Sequence, residues 1–132
     1  MTKPEAMVFI VDDDPSVRKS LLRLIHSSGL HGEAFASAEE FLAQPAFSGI
    51  GCVIVDVRMP GMLGPELRDA MAAQNISLPI IFLSGHSEIP AGVHPGDDEV
   101  VDFLVKPVRA ERLLQAIRLA LERRASAQNH KH

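Results

Sequence analysis

The stretch "VFIVDDDP", Val8 to Pro15, decides the fold. Four apolar residues, suited to a strand buried on both faces, run directly into three consecutive aspartates, and Pro15 ends the extended run. Two carboxylates about 5 Å apart repel by about 3 kcal/mol at an effective dielectric near 20. A fold keeps Asp12, Asp13 and Asp14 together only where water solvates them fully or a cation sits among them.

The same design recurs along the chain. "MVFIV" (7–11) predicts a buried strand, and "HGEAF" (31–35) a shorter, weaker one. "IGCVIVD" (50–56) is a second apolar run ending in an acid, Asp56; "LPIIFLS" (78–84) ends in Ser84, and "EVVDFLV" (99–105) leads into Lys106. Amphipathic segments lie between them. "PSVRKSLLRLIHSSG" (15–29) predicts a helix with Asp14 as cap, Pro15 in the first turn and Gly29 as its stop. Val17, Leu21, Leu24 and Ile25 share one face of it. "SAEEFLAQ" (37–44) carries a capping box, Ser37 with Glu40. "RMPGMLG" (58–64) is turn chemistry, and helices follow over 65–75 and 109–124. The reading is one folded domain, 1–124, with a frayed tail over 125–132.

Apolar strands alternating with helices imply an α/β fold, a parallel sheet covered on both faces. Its 132 residues suit a single core, and 46% hydrophobic content argues against disorder. A net charge of −4 with no basic stripe makes the chain a poor nucleic-acid binder by charge alone, and no direct nucleic-acid binding is expected. Cys52 lies inside an apolar run and reads as a small core residue, which suits a reducing compartment. No run is long enough to span a membrane, and the apolar stretch of "MTKPEAMVFIVDDD" is too short for a signal peptide, so the expected location is cytoplasmic, without a membrane partner.

Sheets of this kind bind ligands at the carboxyl ends of their strands. There the sequence gathers Asp12, Asp13 and Asp14, then Asp56, Ser84 and Lys106. Asp14 is assigned to helix capping. The remaining carboxylates form an oxygen-rich site for a hard ion such as Mg²⁺, which takes one or two protein carboxylates and completes its shell with water and a phosphoryl oxygen. Asp56 is the candidate nucleophile toward phosphorus, with Lys106 neutralising charge and Ser84 donating a hydrogen bond.

With those residues in place, the chain resembles the receiver domains of two-component response regulators. "VFIVDDDPSVR", "FASAEEFLA", "VIVDVRMPGMLGPEL", "IIFLSGHSEIP" and "VDFLVKP" carry the likeness, in the family's order, over nearly the whole chain. The phrasing "SAEEFLA" and "DVRMPGMLG" is most similar to receivers of nitrogen-fixation and LuxR-type regulators. The resemblance implies a flavodoxin-like, doubly wound, five-stranded parallel sheet in the order 2-1-3-4-5. It implies Asp56 as phosphoacceptor, Asp13 as the direct Mg²⁺ ligand, Asp12 acting mainly through water, and the backbone carbonyl of Arg58 completing the metal shell. It further implies Lys106 as the lysine that pairs with the phosphoryl group, Ser84 and Phe103 as switch residues, and a cis Lys106–Pro107 peptide. The implied partners are a sensor histidine kinase or phosphotransfer protein upstream. Downstream they are a protein partner or, in a longer chain, a DNA-binding output domain; a homodimer is among the implied states.

Three rivals are weighed. A nucleotide-binding flavodoxin-like domain wants a glycine-rich or hydroxyl-rich phosphate loop after the first strand, where "DDDP" would repel a phosphate in the absence of metal. An aspartate-nucleophile phosphatase wants a second carboxylate two residues after Asp56, where this chain has Arg58. A receiver-like scaffold that binds partners without phosphorylation would not need the full set of acceptor residues. The chain also departs from the family where the fourth helix belongs. "IPAGVHPGDDEVVDF" (89–103) holds Gly92, Pro95 and Gly96. At about 1 kcal/mol per glycine and about 3 for proline, a helix here would lose on the order of 5 kcal/mol. The sequence predicts a short, irregular or absent helix, and an order change over 85–99 as the signal.

Overall fold

The computed structural model describes residues 6–44, 49–57, 64–74, 76–85 and 100–129, with the side chains at 64, 65, 100, 101, 103 and 124–129 outside that description. Five strands and four helices alternate along these residues: β1 (Met7–Val11), α1 (Pro15–Ser27), β2 (His31–Phe35), α2 (Ala38–Leu42), β3 (Gly51–Asp56), α3 (Gly64–Ala73), β4 (Ile80–Ser84), β5 (Val100–Val105) and α4 (Ala110–Asn129). The strands form one parallel sheet in the order β2-β1-β3-β4-β5.

Side chains alternate across a strand, so each apolar strand supplies two cores. Val8 and Ile10 of β1, Cys52 and Ile54 of β3, and Ile81 and Leu83 of β4 pack on one side with Ile25 of α1 and with Leu113, Ala116 and Ile117 of α4. Phe9 and Val11, Val53 and Val55, and Ile80 and Phe82 pack on the other with Phe41 of α2 and with Leu67 and Met71 of α3. The rings of Phe9, Phe35 and Phe41 close this second core beside the β2 edge, each centroid 5.6–6.3 Å from the others. Such burial on both faces is why β1, β3 and β4 carry no polar residue before their last position.

Local signals set the helix ends. Asp14 accepts from the Ser16 N–H at 2.8 Å, and Pro15 opens α1. Gly29 stops it with φ of +81°, while Leu30 N–H donates to the Ile25 carbonyl and Gly29 N–H to that of His26. Ser37 Oγ accepts from Glu40 N–H at 3.1 Å and starts α2.

Several boundaries differ from the sequence reading. α4 continues through Asn129, five residues past the expected end at Arg124. Ala125, Ala127 and Gln128 are good helix formers, so the amphipathic pattern ends before the helix does. β5 is not wholly apolar: Asp102 pairs with Arg112 of α4. The register shifts there, with Ile80 opposite Val100 and Ile81 opposite Asp102, and this irregularity sits on the sheet's edge strand. The segment Gly92 to Glu99 lies outside the described residues.

Candidate functional site

The first site residues leave β1. The pairing of Val11 with Phe35 and Val55 ends the strand, and Asp12 N–H makes a last bond to the Phe35 carbonyl at 3.1 Å. Asp12 continues the alternation of Val8 and Ile10, so its side chain falls on the side of α1 and α4 and is only 1% exposed. Its Oδ1 accepts from the Asp14 N–H at 2.9 Å. Asp13 is exposed, and Asp14 is spent on the helix cap.

Asp56 ends β3 one step beyond Val55, beside Asp12, on the same side of the sheet. One carboxylate oxygen from each of Asp12, Asp13 and Asp56 lies within 4.8 Å of the other two. The sequence-predicted acids are thus brought together, without Asp14.

Lys106 follows β5, two strands from β3. Its backbone N–H donates to the Ser84 carbonyl at 2.6 Å, which pins the end of β5 to the end of β4. Adjacent strands lie about 4.8 Å apart, so an ammonium must cross about 10 Å to reach β3 from β5. The lysine stem covers part of it and the Asp56 side chain reaches toward it, which leaves Nζ 3.4 Å from Asp56 Oδ2 and 3.5 Å from Asp12 Oδ2. The following Lys106–Pro107 peptide is cis, as the resemblance implied. Ser84 is buried at the end of β4, 3% exposed. Arg58 and His86 lie outside the described residues, as does the side chain of Phe103, whose backbone pairs with Phe82.

Burial dominates the electrostatics. It raises the pKa of Asp12 above the usual carboxylate value; the Asp14 N–H and the Lys106 charge oppose it, and the neighbouring Asp56 reinforces it. For Lys106, burial alone would lower the pKa, but the charges of Asp12 and Asp56 more than offset it and hold the ammonium above its ordinary value. Three carboxylates beside one lysine, which pairs with two of them, leave net negative charge at a partly buried mouth. The donors are all hard oxygens, one buried, one half-buried and one exposed, within reach of a single ion. That set fits Mg²⁺, which prefers oxygen ligands and retains water on its open side.

One contact lay beyond the sequence reading. Arg18, on the second turn of α1, donates from Nη1 to the Asp12 carbonyl at 2.8 Å. An arginine six residues past Asp12 carries no signal of this by itself; only the helix that follows the turn brings it back.

Residues 8–118 match the family model described as the response regulator receiver domain. The chain is 44% identical over 119 residues to nodulation protein W of Bradyrhizobium diazoefficiens, covering 90% of this chain and 52% of that protein. It is 41% identical over 115 residues to the transcriptional regulatory protein FixJ of the same organism, covering 86% and 56%. The structure of the response regulator StyR superposes with a TM-score of 0.87 at 37% identity, covering 96% of this chain and 64% of that one. The chain spans about half the length of these two curated relatives. Among the described residues, no helix is long and apolar enough to cross a membrane.

Proposed function

Since the chain belongs to the response regulator receiver domain family of two-component systems, we propose that it is a phosphorylation switch whose acceptor is Asp56. The observation that carries this reading is the shared lysine: Lys106 Nζ stands within 3.5 Å of both Asp56 and Asp12 while Asp13 completes the acidic cluster. A carboxylate so placed is held as a nucleophile beside a fixed positive charge.

An Asp56 oxygen attacks the phosphorus of a phosphohistidine on a kinase or phosphotransfer protein. The new O–P bond forms as the N–P bond breaks and the imidazole leaves. Lys106 neutralises charge on the transferring oxygens. Bound Mg²⁺ would supply further neutralisation and orient the phosphoryl group. It would be held directly by Asp13, by Asp56 and by the Arg58 carbonyl, and through water by Asp12. Ser84 and Phe103 are the proposed switch residues, with Ser84 donating its hydroxyl to the phosphorylated Asp56. In a full-length protein the signal would pass to an output domain or a protein partner, and a homodimer is one form this could take. The cytoplasm is the expected compartment.

Labelling with acetyl phosphate and Mg²⁺, read by intact mass, tests the reading. The parent protein gains one phosphoryl group and Asp56→Asn gains none. Labelling that persists in Asp56→Asn would overturn the assignment.

A further inference from the structure

The acidic turn after β1 is held by more than the acids it presents. Asp12 is almost wholly buried, so its backbone carbonyl sits where water does not reach it freely, past the last rung of the sheet. A buried carbonyl needs a donor. Among the described residues that donor is Arg18, whose Nη1 lies 2.8 Å away. The same residue's backbone N–H donates to the Asp14 carbonyl at 3.0 Å. Arg18 therefore grips the turn on both sides of Asp13.

The Asp12 carbonyl belongs to the peptide that joins Asp12 to Asp13. Fixing that carbonyl fixes the plane from which Asp13 departs, and so the direction of the Asp13 side chain. Among the described residues no hydrogen bond orients the Asp13 carboxylate directly, whereas the Asp12 carboxylate has the Asp14 N–H and Lys106. We infer that Arg18 is a positioning residue for the acidic cluster, holding Asp13 at the distance a small divalent cation requires. The inference rests on the receiver reading above and extends it to a residue with no charge contact to the phosphoryl group.

Coulomb's law alone gives the opposite sign. A guanidinium bonded to the Asp12 carbonyl repels a divalent cation held at that turn, so its removal would tighten binding if charge were its only effect. Positioning predicts weaker binding, because groups that orient metal ligands typically contribute tenfold or more to affinity. It also predicts which ion suffers. Mg²⁺ demands near-ideal octahedral geometry at short distances, whereas Ca²⁺ accepts irregular shells.

Calorimetric titration of the metal-free full chain with MgCl₂ and with CaCl₂ tests this in the parent, Arg18→Met and Arg18→Lys. For Arg18→Met the Mg²⁺ Kd is expected to rise on the order of tenfold, with a clearly smaller change for Ca²⁺. Arg18→Lys keeps the charge on a stem one atom shorter and is expected to fall between, which preserves the test should the methionine variant fold poorly. Unchanged or tighter Mg²⁺ binding in Arg18→Met would overturn the inference, as would equal loss for both ions or parent-like affinities in Arg18→Lys. A parent protein that binds no Mg²⁺ would instead overturn the metal-site reading on which the inference stands.

Discussion

Asp12 and Cys52 are two buried ionisable groups, one just past the end of β1 and one within the neighbouring β3, and both face the side of the sheet covered by α1 and α4. Cys52 sits opposite Val8 near the start of the β1–β3 ladder, and Asp12 follows its last rung at Val11–Val55. Both are almost wholly hidden from water, and burial raises the pKa of each. They differ in what surrounds them. Desolvation is the one influence on Cys52, and it pushes the thiol up to about 12, so the residue is inert. Asp12 meets a backbone N–H from Asp14 and the Lys106 ammonium, and beside it stands a second acid. The same desolvation that silences a thiol in the sheet interior is opposed at the sheet's mouth by a backbone N–H and an ammonium, because only strand ends admit loops and lysine stems to answer it.

The largest test of this contrast moves an acid from one place to the other. Cys52→Asp puts a carboxylate where apolar side chains surround it. An unpaired buried polar group or charge is among the few single changes that cost more than about 4 kcal/mol. The variant is expected to be unfolded, or to melt at far lower temperature, by circular dichroism. A stable Cys52→Asp protein at neutral pH would show that strand ends are not special.

The next test adds the missing charge at the mouth. A ligand that binds only the native state at a hundred times its Kd stabilises by about 2.7 kcal/mol, on the order of 10 °C in Tm for a domain of this size. Saturating Mg²⁺ is expected to raise the Tm by about that much, and Asp13→Ala to remove most of the shift while leaving the metal-free protein at least as stable as the parent. A Tm that ignores Mg²⁺ in the parent would remove the basis for treating Asp12, Asp13 and Asp56 as a metal site.

Much of this was legible in the sequence, and for a physical reason. Strands buried on both faces must be apolar to their last residue, so the first polar residue of each marks the sheet's carboxyl edge. That rule located Asp12, Asp56 and Ser84; on β5 it stops short at Asp102, and Lys106 is instead the first polar residue after the closing apolar run Phe103–Val105. Caps and stops were equally readable, since Asp14, Ser37 and Gly29 act within a few residues of themselves. What escaped the sequence depends on distance in three dimensions. The bond from Arg18 to the Asp12 carbonyl requires a helix to fold back, and the Asp102–Arg112 pair requires α4 to lie along β5. The extra turn and more of α4 escaped because good helix formers continue after the apolar stripe stops.

The smallest expected effect is again a comparison of surroundings, now by pH. Cys52 has a native pKa of about 12 against an ordinary value of 9.0. It is an acid whose native pKa is raised, so the unfolded chain loses its proton first and stability falls as pH rises between those two values. Linkage puts the loss at about 1.4 kcal/mol by pH 10. Lys106 has the opposite sense of charge: its native pKa is also raised, so its contribution is intact below its ordinary value of 10.5 and disappears only as pH climbs through the native value. At pH 10 that contribution is still largely present and is shared by parent and variant. Urea unfolding of the parent and of Cys52→Ala at pH 7.5 and pH 10 therefore isolates the thiol. The parent is expected to lose about 1.4 kcal/mol more than the variant across this interval, after any difference common to both pH values is subtracted. Equal losses in the two proteins would mean that Cys52 ionises as easily folded as unfolded. The interior of the sheet would then answer charge as well as its mouth does.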